Sequence, residues 1–295
     1  FCDELTYILL HQKAAFNSPV WFNVGIEEKP QCSACFLLAV EDNMRSILDW
    51  VYTEGLIFKG GSGAGINLST LRSSRETLSK GGHSSGPVAF MRGADAVAGM
   101  IASGGSTRRA AKMVVLNVDH PDVMKFIRCK VDEEKKVRAL IQAGYNMYDL
   151  NDPAWNSVQY QNANNSVRVT DEFMQAVEHD EKWTTRFVMT GEVADTYRAR
   201  DLLREIASAA WESGDPGMQY DTTINKWHTC PNSGRITTSN PCSEYVHVDN
   251  SACNLASINL LKYLAADRTF LARDFIHTVD VMILAQEIIV GGSSY

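Results

Sequence analysis

Apolar side chains recur at helical spacing over residues 3–15 and stop at Asn17-Ser18-Pro19, a helix terminator. The run CFLLAV at 35–40 is short and wholly apolar, the pattern of a buried strand. Asp42 or Asn43 can cap a helix over roughly 44–58. A glycine-rich segment, 59–65, then leads to a short strand at 66–68. Pro87 suits the first turn of a helix running to about residue 102, which Gly104-Gly105 ends. Residues 112–118 (KMVVLNV) predict a strand, with helices at 120–128 and 132–143. The Asn-rich stretch 145–165 has little periodicity and predicts a long loop. Helices follow at about 170–179 and 196–212, and 214–254 is rich in turn formers. A strand at 255–260 and a helix at 274–290 complete the pattern. Alternating strands and helices without a repeat predict an α/β architecture.

Composition narrows the function. The 295 residues are 45% hydrophobic and 21% charged, as expected of a globular protein with a sizeable core. A net charge of −7 disfavours a nucleic-acid-coating protein, which needs a basic patch, but leaves free nucleotides as ligands. No run of eighteen apolar residues occurs, so no membrane span is expected, and Phe1-Cys2-Asp3-Glu4 is not a signal peptide. The chain starts without Met and ends at Tyr295 without a stop pattern, and reads as a piece cut at both ends. Seven cysteines and no leader suggest a reducing, cytoplasmic setting.

Three cysteine segments could carry chemistry. Cys32-Ser33-Ala34-Cys35 is a C-x-x-C that suits half a zinc site, a redox pair or two buried strand residues. No second C-x-x-C or spaced His pair completes a zinc site, and none of the seven histidines has metal-ligand spacing. In Asn240-Pro241-Cys242-Ser243-Glu244, alternate positions of an extended segment would turn an amide, a thiol and a carboxylate to one face. That set suits proton and sulfur chemistry on a hydroxyl-bearing substrate, although Asn-Pro and Ser equally suit a plain surface turn. Cys253 shares the Ser-Ala-Cys flank of Cys35, and two such entries into strands could bring two thiols side by side. The 60–65 glycines fit neither a Walker A nor a dinucleotide fingerprint, but could let a substrate approach the backbone. Arg108 and Arg109 beside Gly104 and Gly105 could pair with phosphate, or form a solvated loop.

The segments DPGMQYD (215–221), TIN (223–225), WHTC (227–230), SNPCSEY (239–245) and SACNLASINL (251–260) resemble consecutive signatures of the adenosylcobalamin-dependent, class II ribonucleotide reductases. NSPVWFN (17–23), SACF (33–36), GSGAGINL (61–68), TRRAAKM (107–113) and NNSVRV (164–169) fit the same family in the same order. The resemblance implies the first half of a ten-stranded α/β barrel of the ribonucleotide reductase and glycyl-radical type, with helices outside and a central finger loop. Residues 1–295 would form one partial catalytic domain, lacking the rest of the barrel and the cysteine-bearing tail, and inactive alone. Cys242 would become the thiyl radical that takes the ribose 3′ hydrogen, and Glu244 would take the 3′-hydroxyl proton. Asn240 would hold the ribose hydroxyls, and Cys35 with Cys253 would supply the reducing equivalents. Ser18, Ala34, Cys35, Gly63 and 240–244 (Asn240, Pro241, Cys242, Ser243, Glu244) match substrate-contacting positions. Asp42, Arg72, Arg108 and Arg109 match an effector region at a dimer contact.

By the same resemblance the cofactor is adenosylcobalamin. The partners are a ribonucleoside di- or triphosphate, a deoxynucleoside triphosphate effector, a thioredoxin-type reductant and a second copy of the chain, with no nucleic acid or membrane. Three rivals remain. An iron-dependent, class I large subunit would keep the same cysteines. A glycyl-radical lyase usually carries adjacent cysteines at this loop, whereas Cys242 stands between Pro241 and Ser243. A regulatory nucleotide-binding module would keep the fold without catalysis.

Overall fold

A computed structural model describes residues 1–101, 110–149 and 152–294. The chain begins with α1 (Cys2–Leu10), β1 (Ala14–Phe16) and α2 (Ser18–Asn23). A repeating series follows: β2 (Cys35–Leu38), α3 (Met44–Lys59), β3 (Gly63–Asn67), α4 (Pro87–Met100), β4 (Ala111–Asn117), α5 (Val123–Gln142) and β5 (Ala163–Val169). After α6 (Asp171–Glu178), a hairpin of β6 (Lys182–Arg186) and β7 (Val193–Arg198) leads into α7 (Ala199–Ser213), β8 (Gly217–Tyr220) and α8 (Asp221–Lys226). The last elements are β9 (Ser251–Cys253), β10 (Ala256–Ile258) and α9 (Ala272–Gly292).

The main sheet has the order β8-β5-β4-β3-β2-β9. Its first five strands are parallel and adjacent in chain order, and β9 closes the edge antiparallel to β2. Strands added in one direction by right-handed crossovers place all the connecting helices on one face. The core obeys this. Trp50 of α3, Met91 of α4, Phe126 of α5 and Ile206 of α7 pack on Ile66, Val114, Leu116, Val167 and Val169 in one cluster. Leu116, Phe126 and Phe173 are at most 1% exposed, and burial of such a side chain contributes about 1.5–3 kcal/mol.

The opposite face is small and polar. It presents Cys35, Gly63, Gly65, Asn164, Arg168 and Gln219, and the chain segment 236–241 lies on it. Several sequence expectations change here. The glycines at 63 and 65 lie within β3 rather than in a loop before it. The two expected helices at 120–143 are one helix, α5, because nothing at 129–131 breaks it. Residues 14–15 belong to β1, not to the first helix. The expected loop at 145–165 ends inside β5, whose Asn164, Asn165, Ser166 and Arg168 leave apolar residues only at 163, 167 and 169. The β6–β7 hairpin was not anticipated.

Helix α9 is long and apolar enough to cross a membrane by length and composition, which the eighteen-residue criterion misses because Asp280 and Glu287 interrupt it. It packs its buried stripe, including Val281 and Met282, on Ile8 of α1 and Ala14 of β1.

An ion pair is enclosed in the helix-side core. Lys112 on β4, fully buried, donates to Glu54 of α3 at 2.6 Å, with its ammonium 5.2 Å from the Trp50 ring centroid. Burial pushes the Glu54 carboxyl up, and Lys112 counters it. Removing one partner strands a buried charge, at about 3–5 kcal/mol. Glu54→Gln and Lys112→Met should therefore both lower unfolding stability. In Lys112→Met the orphaned Glu54, already pushed up by burial, binds a proton in the folded state, so stability should fall as pH rises. Urea unfolding of both variants, at several pH values for Lys112→Met, checks this.

Candidate active site

The antiparallel pairing of β2 with β9 sets Cys35 directly opposite Cys253. Registered cross-strand neighbours have Cα atoms about 4.5–5.5 Å apart, within the range a disulfide requires. Both thiols are free. The hydrogen bond between Cys35 and Cys253, and then burial, hold the Cys35 thiol far above its ordinary range, and the same bond shifts Cys253 down.

The loop that meets this pair is held from beneath. Arg168 of β5 donates to the Ile236 carbonyl at 2.7 Å, Asn67 of β3 to Thr237 at 2.9 Å, and Gln219 of β8 to the Ser239 hydroxyl at 2.8 Å. Asn164 of β5 donates to the Pro241 carbonyl at 2.9 Å. Arg168 is buried and is kept charged by Asp221 at 2.6 Å, which Arg235 also contacts. Such close approach is possible because β3 presents hydrogen atoms. A Cβ on Gly65 would lie 1.8 Å from the Ser239 carbonyl oxygen, and one on Gly63 would lie 2.9 Å from the Pro241 ring.

Residues 238–240 are buried, and beyond them Cys242, Ser243 and Glu244 emerge exposed. Of the two conformations that the spacing left open, an extended segment and a turn, the segment takes the tight turn. Ser243 N–H donates to the Asn240 carbonyl at 3.1 Å, and Ser243 takes a φ of 67°. The turn still brings Asn240, Cys242 and Glu244 together on one cavity. Asn240 Nδ2 donates to Cys35 Sγ at 3.0 Å, and Cys35 Sγ lies 3.8 Å from Glu244 Oε1.

The cavity measures about 270 Å³. Of the expected substrate positions, Ser18, Ala34, Cys35, Gly63, Asn240, Pro241, Cys242 and Glu244 line it; Ser243 does not, turning instead toward Ser239. Phe16, Asn17, Leu255 and Ser257 complete the wall and were not anticipated. Asn17 positions that wall, donating to Cys32 at 2.9 Å while its Oδ1 accepts from Leu255 N–H at 3.1 Å. The inward polar set of Asn164, Arg168 and Gln219 was also missed. For β5 a partial signal was present in Asn164, Ser166 and Arg168, blurred by Asn165 between them.

Asp42 and Arg72 are not at the cavity wall. They pair with each other at 2.5 Å, and Arg72 N–H also donates to Asp42. Arg108 and Arg109 lie outside the described residues. Among the described residues, no group of three or more His, Cys, Asp and Glu side chains could hold a metal directly.

The barrel-domain model of ribonucleotide reductase matches residues 33–295. The chain belongs to the ribonucleotide reductase barrel-domain family. It is 60% identical to a vitamin B12-dependent ribonucleotide reductase of Streptomyces clavuligerus, over 98% of this chain and 30% of that protein. It is 49% identical to one of Rhodopirellula baltica, over 100% of this chain and 31% of that protein. A vitamin B12-dependent ribonucleoside-diphosphate reductase of Thermoplasma acidophilum is 35% identical, over 84% of this chain and 29% of that protein. The chain thus spans about 30% of the length of the curated relatives it matches.

Gly65→Ala should dislodge the 236–241 segment, because backbone cannot yield as a flexible side chain can; overpacking of this kind costs about 1–3 kcal/mol or more. Hydrogen exchange should show the amides of 239–240 losing protection. Gly93→Ala, in the middle of α4 with open space around the new Cβ, should instead stabilise by about 0.5–1 kcal/mol and leave those amides protected.

Proposed function

We propose that this chain is the first half of a ten-stranded barrel, and that the enzyme containing it reduces ribonucleotides to 2′-deoxyribonucleotides by thiyl-radical chemistry. The observation that carries the reading is the meeting of Cys35 and Cys253 across two paired strands, beside the cavity that Cys242, Glu244 and Asn240 share. The finger loop is the 236–245 segment. A cavity of about 270 Å³ suits a sugar-sized group better than a whole nucleoside triphosphate.

In this reading, Cys242 as a thiyl radical takes the 3′ hydrogen of the ribose, and Glu244 takes the 3′-hydroxyl proton. The C2′–O bond then breaks and the hydroxyl leaves as water. Cys35 and Cys253 give up two electrons and two protons, forming an S–S bond between them, and Cys242 returns hydrogen to C3′. Asn240 holds the ribose hydroxyls. Ser18, Ala34 and Gly63 shape the floor and wall, and the small residues there let the sugar approach the backbone.

The relatives named as vitamin B12-dependent point to adenosylcobalamin as the cofactor. The residues present fit it: Cys242 is exposed at the lip of the cavity, where a bulky group can reach its sulfur from outside. When bound, the cofactor supplies the radical that converts the Cys242 thiol to a thiyl. The chain's own part is to orient Cys242 and keep water from the sugar. These relatives favour this class over an iron-dependent one.

The substrate is a ribonucleoside di- or triphosphate, and a thioredoxin-type dithiol would reduce the Cys35–Cys253 disulfide after turnover. A deoxynucleotide effector would bind near Asp42 and Arg72. A homodimer is supported by Met44, Leu48, Tyr52 and Leu56, exposed apolar residues at every fourth position along α3. The proposed setting is cytoplasmic.

Deoxynucleotide formation by the full-length protein with adenosylcobalamin tests the reading. Cys242→Ser should lower it on the order of 10³-fold or more, as for loss of a group that acts in the reaction. Full activity in that variant would remove Cys242 from the mechanism. Residues 1–295 alone, with cofactor and a dithiol, should give no turnover.

A further inference from the structure

Tyr245 follows the proposed proton acceptor Glu244, and none of the roles above uses it. Its backbone N–H donates to Asn240 Oδ1 at 2.9 Å, and its carbonyl accepts from Asn240 N–H at 3.1 Å. The amide of Asn240 is thereby fixed in the one orientation that aims Nδ2 at Cys35 Sγ, 3.0 Å away. At the other end of the residue, the phenol oxygen lies 2.9 Å from Ser251 Oγ and 3.1 Å from the Ala252 carbonyl, both on β9. Ser251 Oγ spends its own proton on the Val248 carbonyl at 2.5 Å, which leaves its oxygen free to accept. Ala252 is covalently joined to Cys253, and Cys253 pairs with Cys35. The path therefore closes on itself: Cys35, Asn240, Tyr245, Ala252, Cys253 and back to Cys35.

We infer that Tyr245 is a positioning residue that closes this ring, tying the loop carrying Asn240, Cys242 and Glu244 to the strand carrying Cys253. The redox role of the two thiols rests on the function proposed above; the ring itself is geometry. A register between β2 and β9 fixes where the thiols are relative to each other. The contacts from β3, β5 and β8 hold the loop from beneath, and the Tyr245 hydroxyl ties it to β9 itself. Asn240 donation to Cys35 favours its anionic form, and linked hydrogen bonds polarise one another, so the effect reaches the Cys253 thiol bonded to it. Among the described residues, the other titratable groups facing the pair are Glu244 and Cys242 of the same loop.

The test is Tyr245→Phe in the full-length protein, with Ser251→Ala beside it. The phenyl ring keeps the stack on His247, whose plane is within 5° of parallel, so the melting temperature should change little. Alkylation of Cys35 and Cys253 by iodoacetamide is followed against pH by mass spectrometry, without cofactor or substrate. In Tyr245→Phe the midpoint should rise by about half a pH unit or more, the scale of one hydrogen bond weakened. Ser251→Ala should move it in the same direction by less. In turnover, Tyr245→Phe should lower kcat about five- to tenfold with KM nearly unchanged. An unchanged alkylation midpoint in both variants overturns the inference. If Tyr245→Phe unfolds, the Ser251→Ala midpoint decides alone. If the unsubstituted full-length protein makes no deoxynucleotide, the reductase reading fails, and the alkylation midpoints still decide the ring.

Discussion

Everything at this site hangs on the register between β2 and β9. Side chains alternate along a strand, so a slip of one residue would turn Cys253 to the far side of the sheet from Cys35. The register is held from several directions. Ala34 N–H donates to the Cys253 carbonyl at 3.0 Å, and Asn17 and Asn254 both donate to the Cys32 carbonyl at the entry to β2. The N-terminal β1 adds a second antiparallel pair with β10, immediately after β9. A strand of three residues such as β9 has little stability of its own. Its alignment is therefore imposed by polar side chains around it rather than by burial along it.

The two faces of the parallel sheet solve different problems. The helix side is a conventional apolar core, and the ion pair within it, Lys112 with Glu54, is enclosed and matched. The inner side gives up apolar packing to carry a loop. Glycine at 63 and 65 removes the side chains that would keep backbone from backbone, and Asn67, Asn164, Arg168 and Gln219 satisfy the loop's carbonyls and hydroxyl in place of water. Buried polar groups left unpaired would cost more than the apolar contact they displace, so the loop and the polar strand residues require each other.

This division explains what the sequence made legible. Apolar periodicity marked α3, α4, α6, α7 and α9 and the strands β2 and β4, because those elements bury wide apolar surfaces. It failed at β3, whose first residues are glycine because a loop presses on them, and at β5, whose inward residues are polar for the same reason. At 240–244 local chemistry left two conformations open: alternating polar residues suited an extended segment and Asn-Pro with Ser a turn, and Pro241 with the positive φ of Ser243 makes the turn. The paired Ser-Ala-Cys segments were visible in the sequence. Their juxtaposition depends on a β2–β9 contact across most of the chain, which no local pattern encodes.

The unequal state of the two thiols follows from the same asymmetry of faces. Cys35 lies under the loop, 6% exposed, with Asn240 and Glu244 against its sulfur, while Cys253 sits half-buried on the edge strand. In the proposed reaction each sulfur gives one electron to the S–S bond, and only Cys35 does so from the cavity wall; Cys253 stands behind it on the edge strand, so the second half of the reducing power reaches the sugar only through the registered β2–β9 pair.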